Sequence, residues 1–392
     1  MSMRFVAHPE SWLWAIFLQF IILQEPNAQP AAAKFHSVQV PEGFPNNSIL
    51  AITQDQTGFM WFGTYEGLCR YDGHRIITFS HQAEDDRSLP SSQISALLTD
   101  RQGRVWVGTD DGLGLLHPSD GTFSRFLYNQ DVRDTKIRIW TMIEDRDGRL
   151  WVGTSNGIYR WQPKTEAFEK LTNVLSENDI ESHNVTAIRQ DKSGAVWVVE
   201  GIYLGQYSPD GKFLRRYNYG ALLGKEGFAD KIRSLAIDAQ QRIWIGAQKG
   251  IRAFFDIKNG KFVRQNMLGQ LVEDQLRIVQ IIEDPQRGIW AAGGNGVNYF
   301  NTKTLQRTSY RNNPEEPNSL IDNGVMSIFR AANGVLWVGT YNSGVQYMLP
   351  KEERFKMLTV EDGLSYNIVS SVSEKSSGEL LVATSGGGID WL

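Results

Sequence analysis

Apolar and polar positions along this chain follow a pattern that returns every 45 to 47 residues. Each unit holds an apolar strand, a polar turn typically of the form Asp-x-x-Gly, and a second apolar strand that carries a tryptophan; the aspartate is absent only at Ala331. The seven tryptophans are Trp61, Trp106, Trp151, Trp197, Trp244, Trp290 and Trp337. A repeat of this length is typical of one β-propeller blade of four short strands. The pattern therefore predicts an all-β protein built as a propeller.

Two turns divide each unit into strands. In the first turn, as in Asp100-Arg-Gln-Gly103, the aspartate bonds its own backbone and the glycine takes a positive φ. A second turn of the form Thr-x-x-Gly opens the third strand, and a phenylalanine marks the fourth strand in most units. The tryptophan should pack between neighbouring sheets, and the glycine two residues after it should let backbones approach closely.

The segment Phe35 to Val40 parallels the segment Phe355 to Val360. A ring of sheets has no exposed edge if an N-terminal strand completes the last blade, so the first segment should pair into the blade of Trp337. This predicts a seven-bladed propeller over residues 35–350, followed over residues 354–392 by the incomplete first repeat of a second propeller. An eight-bladed ring with one partial blade is the alternative. Because the chain stops inside a predicted strand, it is expected to be a fragment of a longer protein.

The first residues differ from the repeats. An apolar run from Trp12 to Leu23 precedes the small residues Ala28 to Ala33, which predicts a secretory signal peptide over residues 1–33 and a periplasmic location. An uncleaved membrane anchor is the alternative, although the run is shorter than the roughly 20 residues that span a bilayer. The net charge of −4 gives no field that favours nucleic acid. Cys69 is the single cysteine, expected to be a buried thiol.

The motif Asp-x-x-Gly-x-Leu/Val-Trp-Val-Gly-Thr-x-x-Gly-Ile/Leu resembles the two-component regulator propeller repeat and recurs over residues 49–392. The resemblance implies the periplasmic sensor region of a bacterial hybrid two-component sensor histidine kinase. It also implies partners: an oligosaccharide or other small extracellular ligand, and C-terminal sensor and kinase domains that this sequence lacks. The intact protein is expected to sit in the inner membrane, and homodimerisation there is left open. No enzymatic activity, cofactor or metal is expected for this chain.

Candidate ligand-binding residues lie where the repeat breaks or at the second turns, on the face of the long connections between blades. Blade four has Val199, Glu200 and Tyr203 where glycine, threonine and glycine are usual, and blade seven has one extra residue in Tyr341-Asn-Ser-Gly344. A tyrosine beside a carboxylate or amide can stack on a sugar and bond it. Loop drift is the other interpretation. The candidates are Tyr65, Glu66, Asp111, Trp140, Asn156, Glu200, Tyr203, Lys249, Arg252, Asn295, Tyr341 and Asn342.

Trp140 is a candidate because it follows Ile139 on a predicted inner strand, where other units carry Leu50, Ser95, Thr186, Arg233, Val279 or Met326. The histidines are scattered without the spacing of metal ligands, and the carboxylates belong mostly to turns. Three functions remain: a sensor module, which the resemblance favours; a propeller enzyme such as a lyase or glycosidase; and a scaffold for protein contacts. Convergent titratable groups would indicate the enzyme, and an exposed apolar patch would indicate the scaffold.

Overall fold

The computed structural model describes residues 33–40, 43–128, 136–171, 183–219, 232–247, 250–264, 277–284, 288–304, 306–350, 359–360, 363–375 and 379–391. The predicted signal peptide lies outside these residues except for Ala33. Two compact units are present, Met1–Leu349 and Pro350–Leu392.

The described part of the first unit consists of β-strands joined by turns and loops. The strands are β1 Phe35–Ser37, β2 Ala51–Gln54, β3 Met60–Gly63, β4 Leu68–Tyr71, β5 Ile76–Phe79, β6 Ile94–Thr99, β7 Val105–Thr109, β8 Gly112–His117, β9 Thr122–Phe126, β10 Ile139–Glu144, β11 Leu150–Thr154, β12 Gly157–Gln162, β13 Ala167–Leu171, β14 Val185–Gln190, β15 Val196–Glu200, β16 Tyr203–Tyr207, β17 Phe213–Asn218, β18 Ile232–Ile237, β19 Arg242–Ala247, β20 Gly250–Asp256, β21 Lys261–Arg264, β22 Ile278–Asp284, β23 Gly288–Gly293, β24 Gly296–Asn301, β25 Arg307–Tyr310, β26 Val325–Arg330, β27 Leu336–Thr340 and β28 Val345–Met348.

These strands form seven four-stranded antiparallel sheets within the described residues. We call them blades 1 to 7, from the sheet of Trp61 to the sheet of Trp337, and we call the first strand of each its inner strand. The inner strands are β2, β6, β10, β14, β18, β22 and β26, and each contacts the inner strands of its two neighbours, β26 contacting β2. The first unit is therefore a closed ring of sheets, and the predicted all-β propeller fold is confirmed.

The N-terminal strand closes the ring. Blade 7 has the order β26-β27-β28-β1, and β1 pairs antiparallel with β28, with Phe35 opposite Met348. Phe35 is buried, and its ring meets that of Tyr310 edge-on at 5.8 Å. The pairing predicted from the repeated N-terminal segment is thus confirmed, and it removes an unpaired strand edge from the outer rim of blade 7.

The tryptophans fill the space between neighbouring blades. Trp106 of blade 2 packs against Trp161 of blade 3 with ring centroids 5.6 Å apart, and Trp197 of blade 4 packs against Phe255 of blade 5 at 5.3 Å. Each of these buried aromatic pairs adds about 0.5–1.5 kcal/mol beyond the burial of its area. The repeated tryptophan is therefore structural.

Blades approach closely at the residue two after the tryptophan, which is glycine except for Val199 in blade 4 and Ala292 in blade 6. At Gly339 of blade 7, an added Cβ would lie 2.7 Å from Cβ of Ile49 and 2.3 Å from Oγ of Ser327. The Ser327 hydroxyl donates to the carbonyl of Ile49 at 2.8 Å, and the amide of Ile49 donates to Thr340 at 2.9 Å. Blades 7 and 1 are joined by these bonds at the point where the ring closes.

A chain of hydrogen bonds links the Asp-x-x-Gly turns of successive blades, a feature that the sequence analysis did not predict. Gln56 donates to the carbonyl of Arg101 at 2.8 Å, Arg101 to Arg146 at 2.9 Å, and Arg146 to Lys192 at 2.6 Å. Lys192 in turn donates to the carbonyl of Ala239 at 3.2 Å. The residue after each turn aspartate therefore ties its blade to the next, from blade 1 to blade 5.

The second unit contains a three-stranded antiparallel sheet of β29 Val369–Glu374, β30 Leu380–Thr384 and β31 Gly388–Trp391. Its second turn repeats the pattern of the blades, since the Thr384 hydroxyl donates to the carbonyl of Gly388 at 3.2 Å. Several large apolar side chains of this unit are exposed, among them Val372, Ile389 and Trp391. The proposed start of a second propeller stays a prediction, and residues 354–358, 361–362, 376–378 and 392 of that segment lie outside the described residues.

Candidate ligand-binding channel

A cavity of about 470 Å³ occupies the centre of the ring. This volume lies within the range of about 300–1,000 Å³ that small-molecule sites in proteins have. The described residues that line it come from the inner strands and their N-terminal ends: Leu50, Ala51, Ile52, Tyr65, Gln93, Ser95, Ala96, Leu97, Arg138, Trp140, Thr141, Met142, Thr186, Ala187, Arg189, Arg233, Ser234, Arg277, Val279, Gln280 and Met326.

A bulge on the inner strands directs one residue of each of blades 2 to 7 into the channel. In blade 3 the pairing between β10 and β11 skips one residue, since Ile139 pairs with Thr154 and Thr141 with Gly153. The skipped residue is Trp140. The same shift occurs in blades 2 and 4 to 7, and the skipped residues all line the cavity: Ser95, Thr186, Arg233, Val279 and Met326. A bulge residue is released from the strand ladder, which explains why its side chain can turn toward the ring axis.

Trp140 and its neighbours leave polar atoms unsatisfied. The guanidinium of Arg138 lies over the Trp140 ring, 5.0 Å from its centroid, and 3.9 Å from Oδ2 of Asp110. Among the described residues, neither Nε1 of Trp140 nor Oδ1 of Asp110 has a hydrogen-bond partner, and both atoms are buried. A buried polar atom without a partner costs about 1–3 kcal/mol.

Four arginines are the charged residues among the described lining: Arg138, Arg189, Arg233 and Arg277. Burial lowers the pKa of Arg189, and the nearby carboxylate of Glu283 opposes that shift. Burial also lowers the pKa of Arg233, and the positive charge of Arg277 lowers it further. All charged side chains of the described lining are thus positive. Because the space is partly enclosed, their electrostatic field is concentrated within the channel.

Of the twelve candidates predicted from the sequence, Tyr65 and Trp140 line this cavity. Tyr65 is 37% exposed and stands in the second turn of blade 1. In that turn the Thr64 hydroxyl accepts a bond from the amide of Glu66 at 3.0 Å and donates to the carbonyl of Gly67 at 2.9 Å. The second turn was therefore predicted correctly, and its hydroxyl holds the turn closed.

Three polar candidates at second turns are bound to neighbouring side chains. Glu66 accepts a hydrogen bond from Asn46 at 3.2 Å, and Asn156 accepts one from Lys170 at 2.9 Å. Asp111 lies 3.6 Å from the ammonium of Lys136. These bonds hold loop side chains together on the surface, outside the described lining of the cavity.

The irregular turn of blade 4 is more buried than the sequence indicated. Glu200 is buried, with one carboxylate oxygen 3.6 Å from Nδ1 of His183, and burial together with the charge of Glu200 raises the pKa of Tyr207. The Tyr203 ring lies under the guanidinium of Arg216, 4.6 Å from it. Tyr203 is thus covered by a cation on one face.

The structure describes only some of the candidates of blades 5 to 7. Lys249 and the side chain of Arg252 lie outside the described residues. Asn295 is partly buried at the second turn of blade 6, whereas Tyr341 and Asn342 are exposed at that of blade 7. The carbonyl of Tyr341 accepts a hydrogen bond from the Ser48 hydroxyl of blade 1. These residues remain untested candidates for ligand binding.

None of the four arginines was among the candidates predicted from the sequence, and Arg233 was named only for comparison with Trp140. Arg138 and Arg277 both stand directly before the first residue of an inner strand, a position that the repeat alignment could have compared across blades. Arg189 occupies a register where the other inner strands carry mostly apolar residues, such as Leu98, Ile143 and Phe329. A charge in an apolar register was therefore the available signal.

A second cavity, of about 480 Å³, lies at the Asp-x-x-Gly turns of blades 3 to 6. Its lining includes two cations, Arg146 and Lys192, whose side chains donate hydrogen bonds to the next blade. It also includes the carboxylates of Asp191, Asp238, Glu283 and Asp284. Among the described residues, no group of three or more His, Cys, Asp or Glu is placed to hold a metal ion. Nor does any described helix have the length and apolar character needed to cross a membrane.

Known proteins share both the repeat and the fold. A family model described as two-component regulator propeller matches residues 43–66, 88–111, 135–156 and 319–342. Each match runs from before an inner strand, through the tryptophan strand, to the second turn of blades 1, 2, 3 and 7. Histidine kinase P4 of Formosa agariphila is 34% identical over 61 residues, which are 16% of this chain and 4% of that protein.

Solved structures match most of the chain. The extracellular domain of a putative hybrid two-component system from B. thetaiotaomicron has a TM-score of 0.66 and 25% identity, covering 92% of this chain and 48% of that one. The extracellular domain of a putative one-component system from the same organism has a TM-score of 0.65 and 19% identity, with coverage of 92% and 48%. The chain therefore spans about half the length of these extracellular domains.

Virginiamycin B lyase from Staphylococcus aureus has a TM-score of 0.61 at 12% identity, covering 81% of this chain and 99% of the lyase. At that identity the likeness shows the fold alone. The four repeat matches instead coincide with the strands and turns that build the blades, and they agree with the likeness to an extracellular two-component domain. Four segments of this chain thus match the two-component regulator propeller repeat, and the chain has the fold of extracellular domains of two-component sensor systems.

Proposed function

We propose that this chain is a ligand-binding sensor region of a two-component signalling protein, that it works outside the cytoplasm, and that its ligand is an oligosaccharide. The four matches to the regulator propeller repeat and the likeness to an extracellular domain of a putative hybrid two-component system support the signalling role and the location. Any kinase activity belongs to other parts of the intact protein.

The oligosaccharide ligand is proposed mainly because of the channel at the ring centre, which Trp140 lines from a strand bulge. An indole offers an apolar face for a sugar ring and a polar N–H for a hydroxyl. Ser95, Thr186 and Gln93 line the same cavity and add groups that can bond hydroxyls in several directions. A pocket that combines aromatic faces with a few placed polar groups is typical of small-molecule sites.

Isothermal titration calorimetry with a panel of neutral and acidic di- to tetrasaccharides tests the ligand. Trp140→Ala should weaken binding about tenfold or more, a loss of at least roughly 1.4 kcal/mol. Trp140→Phe keeps an aromatic face without the N–H and should lie between wild type and alanine. The double variant Tyr203→Ala with Tyr341→Ala serves as the comparison, since both tyrosines lie outside the described lining of the cavity.

The outcomes separate the alternatives. Loss of affinity in the tyrosine variant with none in Trp140→Ala would move the site to the second turns of blades 4 and 7. A panel without any binder would contradict the oligosaccharide ligand. Cleaved products in the mass spectrum of the titrated sugar would contradict the sensor and indicate a propeller enzyme. In the intact protein, the binding sugar should change autophosphorylation, and Trp140→Ala should suppress that response.

A further inference from the structure

The four arginines of the channel differ in how their charges are compensated. Arg138 lies 3.9 Å from the carboxylate of Asp110, and Arg189 is stabilised by the charge of Glu283. Arg233 and Arg277 form no side-chain hydrogen bond and no ion pair within the described residues. These two are therefore the cations of the channel that the described fold leaves without a counter-charge.

Arg233 and Arg277 stand next to each other in the ring. Arg233 is the bulge residue of the blade 5 inner strand, and Arg277 directly precedes the blade 6 inner strand. Their charges act on each other, since Arg277 lowers the pKa of Arg233. Two like charges held close in a partly enclosed space oppose folding, so the pair needs a reason other than stability.

Guanidinium groups fit planar and tetrahedral oxyanions well. The rigid fork of donors matches a carboxylate or a sulfate with two parallel hydrogen bonds, and such charge-assisted bonds are roughly twice as strong as neutral ones. An anion placed between the two arginines would cancel their repulsion and form these bonds at the same time.

We propose that the ligand of the channel is an acidic oligosaccharide whose carboxylate or sulfate group binds between Arg233 and Arg277. This inference rests on the proposed function and names the chemical class of its ligand. Trp140 belongs to blade 3, two blades from Arg233 and three from Arg277 in the ring of seven, so it faces them across the channel. A sugar ring against Trp140 and an anionic group at the arginines occupy opposite walls of one cavity.

Calorimetry with paired probes tests the proposal. One pair is trigalacturonate and its neutral methyl ester, and the other is lactose 3′-sulfate and neutral lactose. The acidic member of a pair should bind at least about tenfold more tightly, and Arg233→Gln and Arg277→Gln should each remove about tenfold of that affinity. Which pair shows the effect tells a carboxylate from a sulfate.

Arg75→Gln is the matched control, because Arg75 is an exposed arginine of blade 1 that pairs with Asp72 outside the cavity. It should leave binding unchanged. Arg277 is itself exposed, so Arg277→Gln should fold normally and keeps the test valid if Arg233→Gln disturbs the ring. The affinity for the acidic probe should also fall with added salt.

Equal affinity for acidic and neutral probes, unchanged in both glutamine variants, would overturn the acidic ligand and leave the sensor function standing. Failure of every oligosaccharide to bind would count against the sensor function. In that case inorganic sulfate tests separately whether Arg233 and Arg277 form an anion site. A higher melting temperature in sodium sulfate than in sodium chloride at equal ionic strength, lost in Arg277→Gln, supports the anion site, and the same melting temperature in both salts contradicts it.

Discussion

The indole N–H of Trp197 donates a hydrogen bond to Oδ2 of Asp191 at 2.7 Å, while Oδ1 of the same carboxylate accepts the backbone amides of Ser193 and Ala195. One aspartate thus holds both the turn and the tryptophan six residues later. The same indole bond is present in blades 1 to 6 at 2.7–2.9 Å. The fixed distance between aspartate and tryptophan in the sequence follows from this bond.

Asp191→Ala should lower the free energy of unfolding by about 2–4 kcal/mol, because it leaves the buried indole N–H and two turn amides without an acceptor. Asp191→Asn keeps one carbonyl oxygen for the turn and should cost about half as much. Urea denaturation followed by tryptophan fluorescence measures both. Equal losses in the two variants would mean that the turn bonds contribute nothing of their own, and an unchanged stability of Asp191→Asn would mean the same of the indole bond.

In blade 7 an aspartate can be added instead of removed, since Ala331 stands where the other blades have aspartate. The turn keeps its backbone bonds, with the amide of Gly334 donating to Ala331 at 2.9 Å, and Asn333 accepts the amide of Val335 at 3.2 Å. Ala331→Asp would supply the missing acceptor for Trp337. It should raise the free energy of unfolding by about 1 kcal/mol, measured in the same urea assay. A loss of stability would show that blade 7 has adapted to alanine.

Gly339→Ala should destabilise the ring by about 1–3 kcal/mol, because the new methyl group would overlap Ile49 and Ser327 where blade 7 meets blade 1. Gly294→Ala is the control. Its φ is not in the left-handed region, and the nearest heavy atom to an added Cβ is Cβ of Arg277 at 3.8 Å. Differential scanning calorimetry should show a lower melting temperature for the first variant alone.

Burial raises the pKa of the Cys69 thiol to about 11. Native protein should therefore react with a thiol reagent such as Ellman's reagent far more slowly at pH 8 than urea-unfolded protein does. Since the folded pKa lies above the unfolded value of about 8.5, the stability contributed by the neutral thiol is present below pH ~8.5 and is lost as the pH rises toward 11. Cys69→Ala should remove this component, and rapid labelling of native protein would show that the site opens.

Arg233→Gln should raise the melting temperature of the ligand-free protein by ~1–3 °C, because it removes a partly buried cation that Arg277 repels. The guanidinium stays charged throughout the accessible pH range, so the gain should not depend on pH between 6 and 9. Thermal unfolding of Arg233→Gln and Arg75→Gln at two pH values measures it. A lower melting temperature for Arg233→Gln alone would mean that this guanidinium has a stabilising partner.

Local patterning in the sequence was sufficient to predict the blades. The spacing of the tryptophans, the two turn motifs and the segment at Phe35 each depend on contacts within one repeat or on identical contacts between repeats, so the alternation of apolar and polar residues predicted them. The same alignment found the channel position of Trp140, because a register shared by all blades can be compared without knowing the ring. Tyr65 was predicted as a candidate because it stands in the second turn of blade 1.

Tertiary structure decided which charges meet in the channel, although the sequence does show Arg189 in an otherwise mostly apolar register. Arg233 and Arg277 are 44 residues apart in the chain and come side by side because two inner strands are neighbours in the ring. Likewise, no local signal showed that Glu200 is buried or that Arg216 covers Tyr203, since both depend on packing. The repeat determined the scaffold because every blade obeys the same short-range rules, whereas the chemistry of the centre arises from residues that meet only once the ring is closed.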